Sequence, residues 1–221
     1  MKTLVIDVGG THIKILATDQ AEPRKFVSGL ELTAPAMVAG VLENSRDWEF
    51  DRVSIGYPGP VVQGKILKEP QNLSPGWVGF DFEAALGKPV RLINDAAMQA
   101  LGSYEGGRML FLGLGTGLGS ALIINKTIAP LELAHLPYKK KRTFEDYVGL
   151  RGLERLGKGK WQEAVEDVVA RLRAALVVEH VVLGGGNVKK LTALPPNTSQ
   201  GDNRNAFIGG FRLWEEDYAA G

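Results

Sequence analysis

The stretch Leu4-Val5-Ile6-Asp7-Val8-Gly9-Gly10-Thr11-His12-Ile13-Lys14-Ile15-Leu16-Ala17 places an apolar run, a glycine pair and a second apolar run end to end. Glycines between two β-type runs predict a tight hairpin. The same grammar returns at Leu110-Phe111-Leu112-Gly113-Leu114-Gly115-Thr116-Gly117, with a second β run from Ala121 to Ile124. Laid over one another, Leu4 falls on Leu110, Gly9 on Gly115 and Ile15 on Ala121. This predicts two halves built on a duplicated hairpin, although one pair of similar hairpins also arises by chance.

Working outward, a weaker strand is expected near Arg24 to Leu30. A helix is expected over Pro35 to Asn44, with Met37, Val38, Val41 and Leu42 on one side. Arg52 to Gly56 reads as a strand that stops at the turn Tyr57-Pro58-Gly59-Pro60. Asp81 to Leu86 reads as a short helix ended by Gly87, and Val90 to Ile93 as a buried strand. Asn94-Asp95 then caps a helix over Ala96 to Tyr104. Beyond Gly106-Gly107, helices are expected around Phe144 to Leu156 and Trp161 to Leu176. A strand at Val177 to Leu183 runs into Gly184-Gly185-Gly186-Asn187, and a final helix from Ala206 carries Trp214. Strands alternating with helices make an α/β chain.

Lys and Arg number 26 against 25 Asp and Glu, a formal charge of +1. That balance argues against bulk attachment to nucleic acid or an anionic membrane, while leaving a local basic patch open. With 44% hydrophobic and 23% charged residues, wholesale disorder is excluded. The 221 residues suffice for one large domain or two small lobes. There is no cysteine, hence no disulfide, no thiolate nucleophile and no zinc site built on sulfur. No apolar run approaches the ~18 residues of a membrane span. Asp7 interrupts the run a signal peptide would need, so a cytoplasmic setting is expected.

Glycine loops follow three apolar strands: Gly9-Gly10-Thr11, Gly115-Thr116-Gly117 and Gly184-Gly185-Gly186. Glycine lets backbone N–H groups approach a ligand, and successive N–H groups form an anion nest. Any one loop could be a turn and nothing more; three of them, two with an adjacent Thr, suit a phosphate chain gripped between lobes. Gly152 to Lys158 matches the first seven positions of a P-loop, but Gly159 stands where Ser or Thr must meet magnesium. From Gly113 and Gly115, the third glycine of a dinucleotide fingerprint would fall on Leu118, which excludes that motif.

Asp7, at the end of the first strand, would repel phosphate unless a cation intervened. It is therefore either a magnesium-linked carboxylate or a hairpin cap. Lys14 is either a phosphate-neutralising group or an exposed strand lysine. Asp95 is either a helix cap or a general base that takes a proton from an attacking hydroxyl, with Asn94 holding a neighbouring hydroxyl. Phosphoryl transfer asks little more of a protein than positioning and charge neutralisation.

The segments Leu4 to Lys14, Gln71-Asn72-Leu73-Ser74-Pro75-Gly76-Trp77-Val78-Gly79-Phe80-Asp81, Ile93-Asn94-Asp95-Ala96, Leu114 to Ala121 and Val182 to Gly186 occur in the order seen in the ROK-family sugar kinases. The chain resembles this family over nearly its whole length, and most of all its polyphosphate/ATP glucokinase branch. The resemblance implies a two-lobed ribonuclease-H-like fold of the actin, hexokinase and Hsp70 type. Residues 1–107 with a C-terminal helix of about 206–221 would form the smaller lobe, and 108–205 the second. It implies transfer of a phosphoryl group from ATP or polyphosphate, with magnesium, to the 6-hydroxyl of a hexose, glucose first; the alternatives are another hexose or an N-acetylated amino sugar as acceptor, or a sugar-binding regulator that has lost catalysis. A homodimer is also implied.

By position, the family's catalytic base is Asp95. Its sugar ligands are Asn72, Asn94, Glu132 and His135, with Gly59 lining the same pocket. Gly9, Gly10, Thr11, Lys14, Gly115, Thr116 and Gly117 would hold donor phosphates, Gly185 and Gly186 would lie near an adenosine, and Asp7 would serve the metal. Glu132-Leu133-Ala134-His135 departs from the family's Glu-x-Gly-His by Ala134, so His135 is either a sugar ligand or a packed loop histidine. Lys139 to Glu145 stands where the family carries its zinc cysteines, so that zinc is expected to be absent. Glu145 falls loosely on a later sugar-binding glutamate and otherwise reads as an exposed helix residue. The basic run Lys139 to Arg142 is a solvated face or a track for a long anionic donor, which Arg151, Arg155, Lys158 and Lys160 would extend. No helix-turn-helix precedes the first glycine loop, so sequence-specific DNA binding is not expected.

Overall fold

A computed structural model describes residues 1–215 and 218–220. The chain runs β1 (Thr3–Val8), β2 (His12–Ala17), β3 (Arg24–Val27), α1 (Ala34–Asn44), β4 (Arg52–Tyr57), β5 (Val61–Val62), β6 (Lys65–Ile66), α2 (Phe82–Leu86), β7 (Val90–Asn94) and α3 (Asp95–Ser103). It continues as β8 (Arg108–Leu114), β9 (Leu118–Ile124), β10 (Thr127–Leu131), α4 (Glu145–Val148), α5 (Leu150–Leu176), β11 (His180–Gly184), β12 (Thr198–Gln200), α6 (Asn205–Arg212) and β13 (Ala219–Ala220).

Two sheets result. One has the order β3-β2-β1-β4-β7, the other β12-β11-β8-β9-β10-β13. Read from the hairpins outward they repeat. β1 and β8 each lie antiparallel to the next strand in sequence and parallel to a strand that returns by a crossover. β1 is buried almost throughout, as a strand covered on both faces must be, whereas β2 alternates, with Ile13, Ile15 and Ala17 inside. The duplication read from the two glycine hairpins is therefore present.

Its register differs from the expected one. In the first hairpin Val8 pairs with Ile13, leaving four residues at the tip; in the second Leu114 pairs with Leu118, leaving three. Ile6 faces Ile15 and its counterpart Leu112 faces Ser120, so Ile15 corresponds to Ser120 and not to Ala121. A single shift along the sequence cannot register both strands when the turns differ by one residue.

Between the sheets lies α3. Its buried side chains are Ala96, Ala97, Met98, Ala100 and Leu101, and the three alanines let the helix lie close to both sheets at once. Glycines open the way: a Cβ on Gly56 of β4 would overlap the Met98 thioether methyl, and one on Gly119 of β9 would lie 2.9 Å from the Ala96 Cβ. Behind α3 runs α6, and the two cross with backbones in contact. A Cβ on Gly102 would overlap the Asn205 carbonyl oxygen, and one on Gly209 the Met98 carbonyl oxygen. Val5 and Ile93 from one sheet and Phe111, Ile123 and Val182 from the other join this central layer.

Several boundaries move. The helix expected over Phe144 to Leu156 is broken at Gly149 into α4 and the start of α5. α5 continues through a non-helical Gly157 (φ +74°) to Leu176. Val177 closes that helix in the left-handed region (φ +52°), so the following strand begins at His180. α6 stops at Arg212, which puts Trp214 just beyond it; part of the helix expected to 221 lies outside the described residues. Among the described residues no helix is long and apolar enough to cross a membrane.

Candidate active site

β7 delivers Asn94 to the front end of α3, and Asn94 is the cap. Its Oδ1 accepts the Ala97 N–H at 3.0 Å, while its Nδ2 donates to the Gly59 carbonyl at 3.0 Å, tying the Pro-Gly turn to the helix. The capping role thus falls to Asn94 and leaves Asp95 available for chemistry. Asp95 Oδ1 accepts the Ala96 N–H at 2.7 Å, and Oδ2 has no hydrogen-bond partner among the described residues.

The surroundings push the Asp95 carboxyl up to about 7. Burial is the main cause, the Asp7 carboxylate the second, and Glu132 adds to it; the Ala96 N–H pulls the other way without prevailing. A helix N-terminus favours an anion, but here desolvation outweighs it. Asp7 comes close because it pairs with Gly56 across β1 and β4, and a Cβ on Gly56 would stand 3.5 Å from the Asp95 Cα.

Asp7 itself is paired. Lys14, its cross-strand partner, brings Nζ to 3.3 Å from Asp7 Oδ2. The hairpin tip is closed by Gly9 N–H to His12 O (3.2 Å) and held from outside by Ser28, whose hydroxyl donates to Gly9 O at 2.5 Å. A Cβ on Gly10 would lie 3.2 Å from the Asn72 Cβ, so Asn72 stands against this tip.

At the second hairpin, Gly115 N–H donates to Gly113 O and Gly117 O, both at 3.1 Å. The third glycine loop is fastened to it: Asn187 Nδ2 donates to Gly115 O at 2.8 Å and Asn187 N–H to Leu114 O at 2.9 Å. Gly185 holds φ +83° with its Cα against Leu114, where a Cβ would come within 2.5 Å of the Leu114 carbonyl oxygen. Both demands are met by glycine alone. Thr116 O accepts the Leu150 N–H at 3.2 Å, joining the start of α5 to the same tip. Glu145 Oε2 accepts the Leu118 N–H at 3.2 Å and Oε1 pairs with Arg151 at 3.1 Å, so the recorded contacts of Glu145 are with the second hairpin and the α4–α5 junction.

Glu132 caps the single turn Leu133–His135 after β10, with His135 Nε2 3.7 Å from Glu132 Oε2 and both side chains more than half exposed. Ser120 seats that turn, donating to Leu131 O at 2.7 Å and accepting from Leu133 N–H at 3.2 Å. Asp7 and Glu132 thus both act on Asp95 at the front of α3. One glycine hairpin reaches it through β1 and β4, the other through Gly119. Ser28, Ser120 and Asn187 were not among the expected site residues. Asn187 carried a signal, a polar residue directly after a strand and three glycines; the two serines carried none.

Residues 3–130 match the ROK family. A polyphosphate glucokinase of Mycobacterium tuberculosis (strain CDC 1551 / Oshkosh) is 26% identical over 207 aligned positions, covering 84% of this chain and 77% of that protein. An N-acetylmannosamine kinase of Vibrio vulnificus (strain CMCP6) is 26% identical over 171 positions, covering 67% of this chain and 53% of its own. The crystal structure of an inorganic polyphosphate/ATP-glucomannokinase from Arthrobacter sp. strain KM superposes with a TM-score of 0.78 at 24% identity, over 95% of this chain and 96% of that one. The fold is shared throughout.

Proposed function

Since the chain belongs to the ROK family, we propose that it is a hexose kinase in which Asp95 is the general base. Asp95 Oδ2 takes the proton of the hexose 6-hydroxyl; that oxygen bonds to the terminal phosphorus of ATP or polyphosphate, and the bond from phosphorus to the leaving phosphate breaks. The observation that carries this reading is the Asp95 carboxyl, raised to about 7 at the front of α3, with an oxygen unbonded among the described residues and a glycine hairpin on either side. A base poised near working pH is what such a proton transfer favours. Glucose is the acceptor we assign, on the likeness to the polyphosphate glucokinase.

In this reading Asn72, Asn94, Glu132, His135 and Gly59 receive the sugar hydroxyls. Gly9, Gly10 and Thr11 of one tip and Gly115, Thr116 and Gly117 of the other receive donor phosphates, helped by Lys14. Gly185 and Gly186 would lie near an adenosine, and Glu145 would orient the second tip. Magnesium binds through one or two carboxylates and otherwise through water and phosphate oxygens. Asp7, with Asp95 nearby, suits that donor set, and no cluster of three or more His, Asp or Glu that could hold a metal occurs among the described residues. When bound, the metal supplies charge neutralisation at the phosphates. We further assign residues 1–107 and the C-terminal helix to one lobe and 108–205 to the other. Support comes from Ser54, whose hydroxyl donates to Gly210 O at 2.6 Å. A cytoplasmic homodimer belongs to the same reading.

The donor bears on the basic segment. Residues 139–160 hold eight Lys and Arg against three Asp and Glu, a net +5 in a chain whose total is +1. Arg151 pairs with Glu145 at the second tip, Arg155 donates to Asp146 O at 2.5 Å, and Lys140, Lys141, Lys158 and Lys160 are exposed. A cationic face that starts at a phosphate-binding tip suits a donor longer than a nucleotide.

The test is glucose phosphorylation by the purified protein, with ATP and with polyphosphate side by side, followed as glucose 6-phosphate. No transfer from either donor overturns the reading. The N-acetylmannosamine kinase relative favours a second acceptor class. N-Acetylmannosamine in the same panel decides between them by kcat/KM.

A further inference from the structure

Asn72 rides on an irregular loop of fifteen residues, 67–81, between β6 and α2. A loop this long holds a shape only if something other than a ladder fixes it. Near its start, Glu69 turns back across it. Glu69 Oε2 accepts the N–H groups of Gly76 (3.0 Å) and Trp77 (2.9 Å), and Oε1 that of Val78 (3.3 Å). These contacts hold the Glu69 carboxyl below its ordinary value, the Trp77 N–H foremost. Gly76 stands at φ +102° and Gly79 at φ +77°, so glycines bracket the three N–H groups in conformations other residues rarely adopt. The loop's own carboxylate fills its own anion nest.

That clasp closes a ring of backbone around Asn72. The rest of the loop is anchored on both sides of it. Tyr57 Oη donates to Lys68 O at 2.9 Å, Ser74 N–H donates to Leu32 O at 3.2 Å, and Leu73 and Trp77 are buried. The Tyr57 ring is in turn the surface on which Gly59 rests, a Cβ there falling 2.8 Å from Tyr57 Cε1. Gly59 O is the acceptor for Asn94. Glu69 itself is exposed and touches none of the proposed reacting groups.

We propose that Glu69 is a positioning residue for the sugar site, holding the loop so that Asn72 meets the hexose against the first glycine tip. This rests on the kinase reading for what Asn72 binds. Glu69→Gln keeps the shape but replaces one accepting oxygen with a donor, so at least one of the three N–H groups loses its partner.

The experiment compares wild type, E69Q, E69D and N72A by hexose affinity in calorimetry, by KM for hexose and donor, and by amide hydrogen exchange without ligand. E69Q is expected to speed exchange at Gly76, Trp77 and Val78 and to weaken hexose binding about tenfold, a size in line with losing a hydrogen bond to a charged group. Donor KM stays at the wild-type value, E69D recovers part of the loss, and N72A adds little in the E69Q background. Wild-type hexose affinity in E69Q overturns the proposal, as does an equal rise in hexose and donor KM. A wild type that binds hexose without turnover overturns the kinase reading alone. One that binds no hexose overturns both.

Discussion

Lys14 and Asp7 face each other across the first hairpin, Nζ to Oδ2 at 3.3 Å, and the Asp7 carboxylate so held is one of the groups that raise Asp95. Asp7 stands between a cation that quiets it and a carboxyl that it helps to raise. Replacing Lys14 with Met strengthens the field on Asp95 and moves the acid limb of the kcat/KM–pH profile to higher pH. Asp7→Asn moves it to lower pH, whatever happens to the absolute rate. Profiles that coincide with wild type in both variants contradict the coupling.

Asp95 sets the limb itself. A base with a carboxyl near 7 is protonated and idle in acid, so kcat/KM falls about tenfold per pH unit below that value and levels off above it. Asp95→Asn removes the proton acceptor and keeps the shape. It costs on the order of 10² to 10⁴ in turnover, the span a positioned base contributes. Glucose affinity in calorimetry changes little. A D95N enzyme turning over at the wild-type rate would withdraw the role from Asp95.

The same residue makes the protein less stable in alkali than it could be. The folded carboxyl is raised above its unfolded value, so the folded state holds the extra proton between the two. Stability from this group is full at acid pH and is lost as pH rises toward about 7. D95N, which has no charge to bury, is expected to melt above wild type at pH 8, with the gap closing toward pH 4. Melting curves across that interval check the sign; a gap that widens in acid contradicts it.

The crossing of α3 with α6 carries a different cost. Gly102→Ala or Gly209→Ala puts a methyl group into a backbone carbonyl of the other helix, where no side chain can yield. Overpacking of this sort costs about 1–3 kcal/mol, occasionally more. Urea unfolding of each variant measures it, and unchanged midpoints would mean the helices slide apart without penalty.

Much of this was legible from short-range pattern. The two hairpins, the cap at Asn94 and the position of Asp95 follow from glycine between apolar runs and from a polar pair before a helix. What escaped depends on partners far apart in the chain. Nothing in the neighbourhood of Asn187 points to Gly115, 72 residues away, and nothing near Ser54 points to Gly210. The break at Gly149 also escaped: its backbone turns extended (ψ −177°) there, where a Cβ would crowd both the Glu145 and the Thr116 carbonyls. β10 and β12 were not expected either; they are short strands of five and three residues, β12 at the edge of its sheet, whose pairing comes from a sheet already formed.

The unequal turns, four residues at one tip and three at the other, also bear on how the halves could have diverged. A deletion inside a strand turns every later side chain over, so lysines enter the interior and isoleucines leave it. At the tip the same event spares both ladders. Tip length is therefore free to differ between the halves, while the strands beneath the tips are fixed in register.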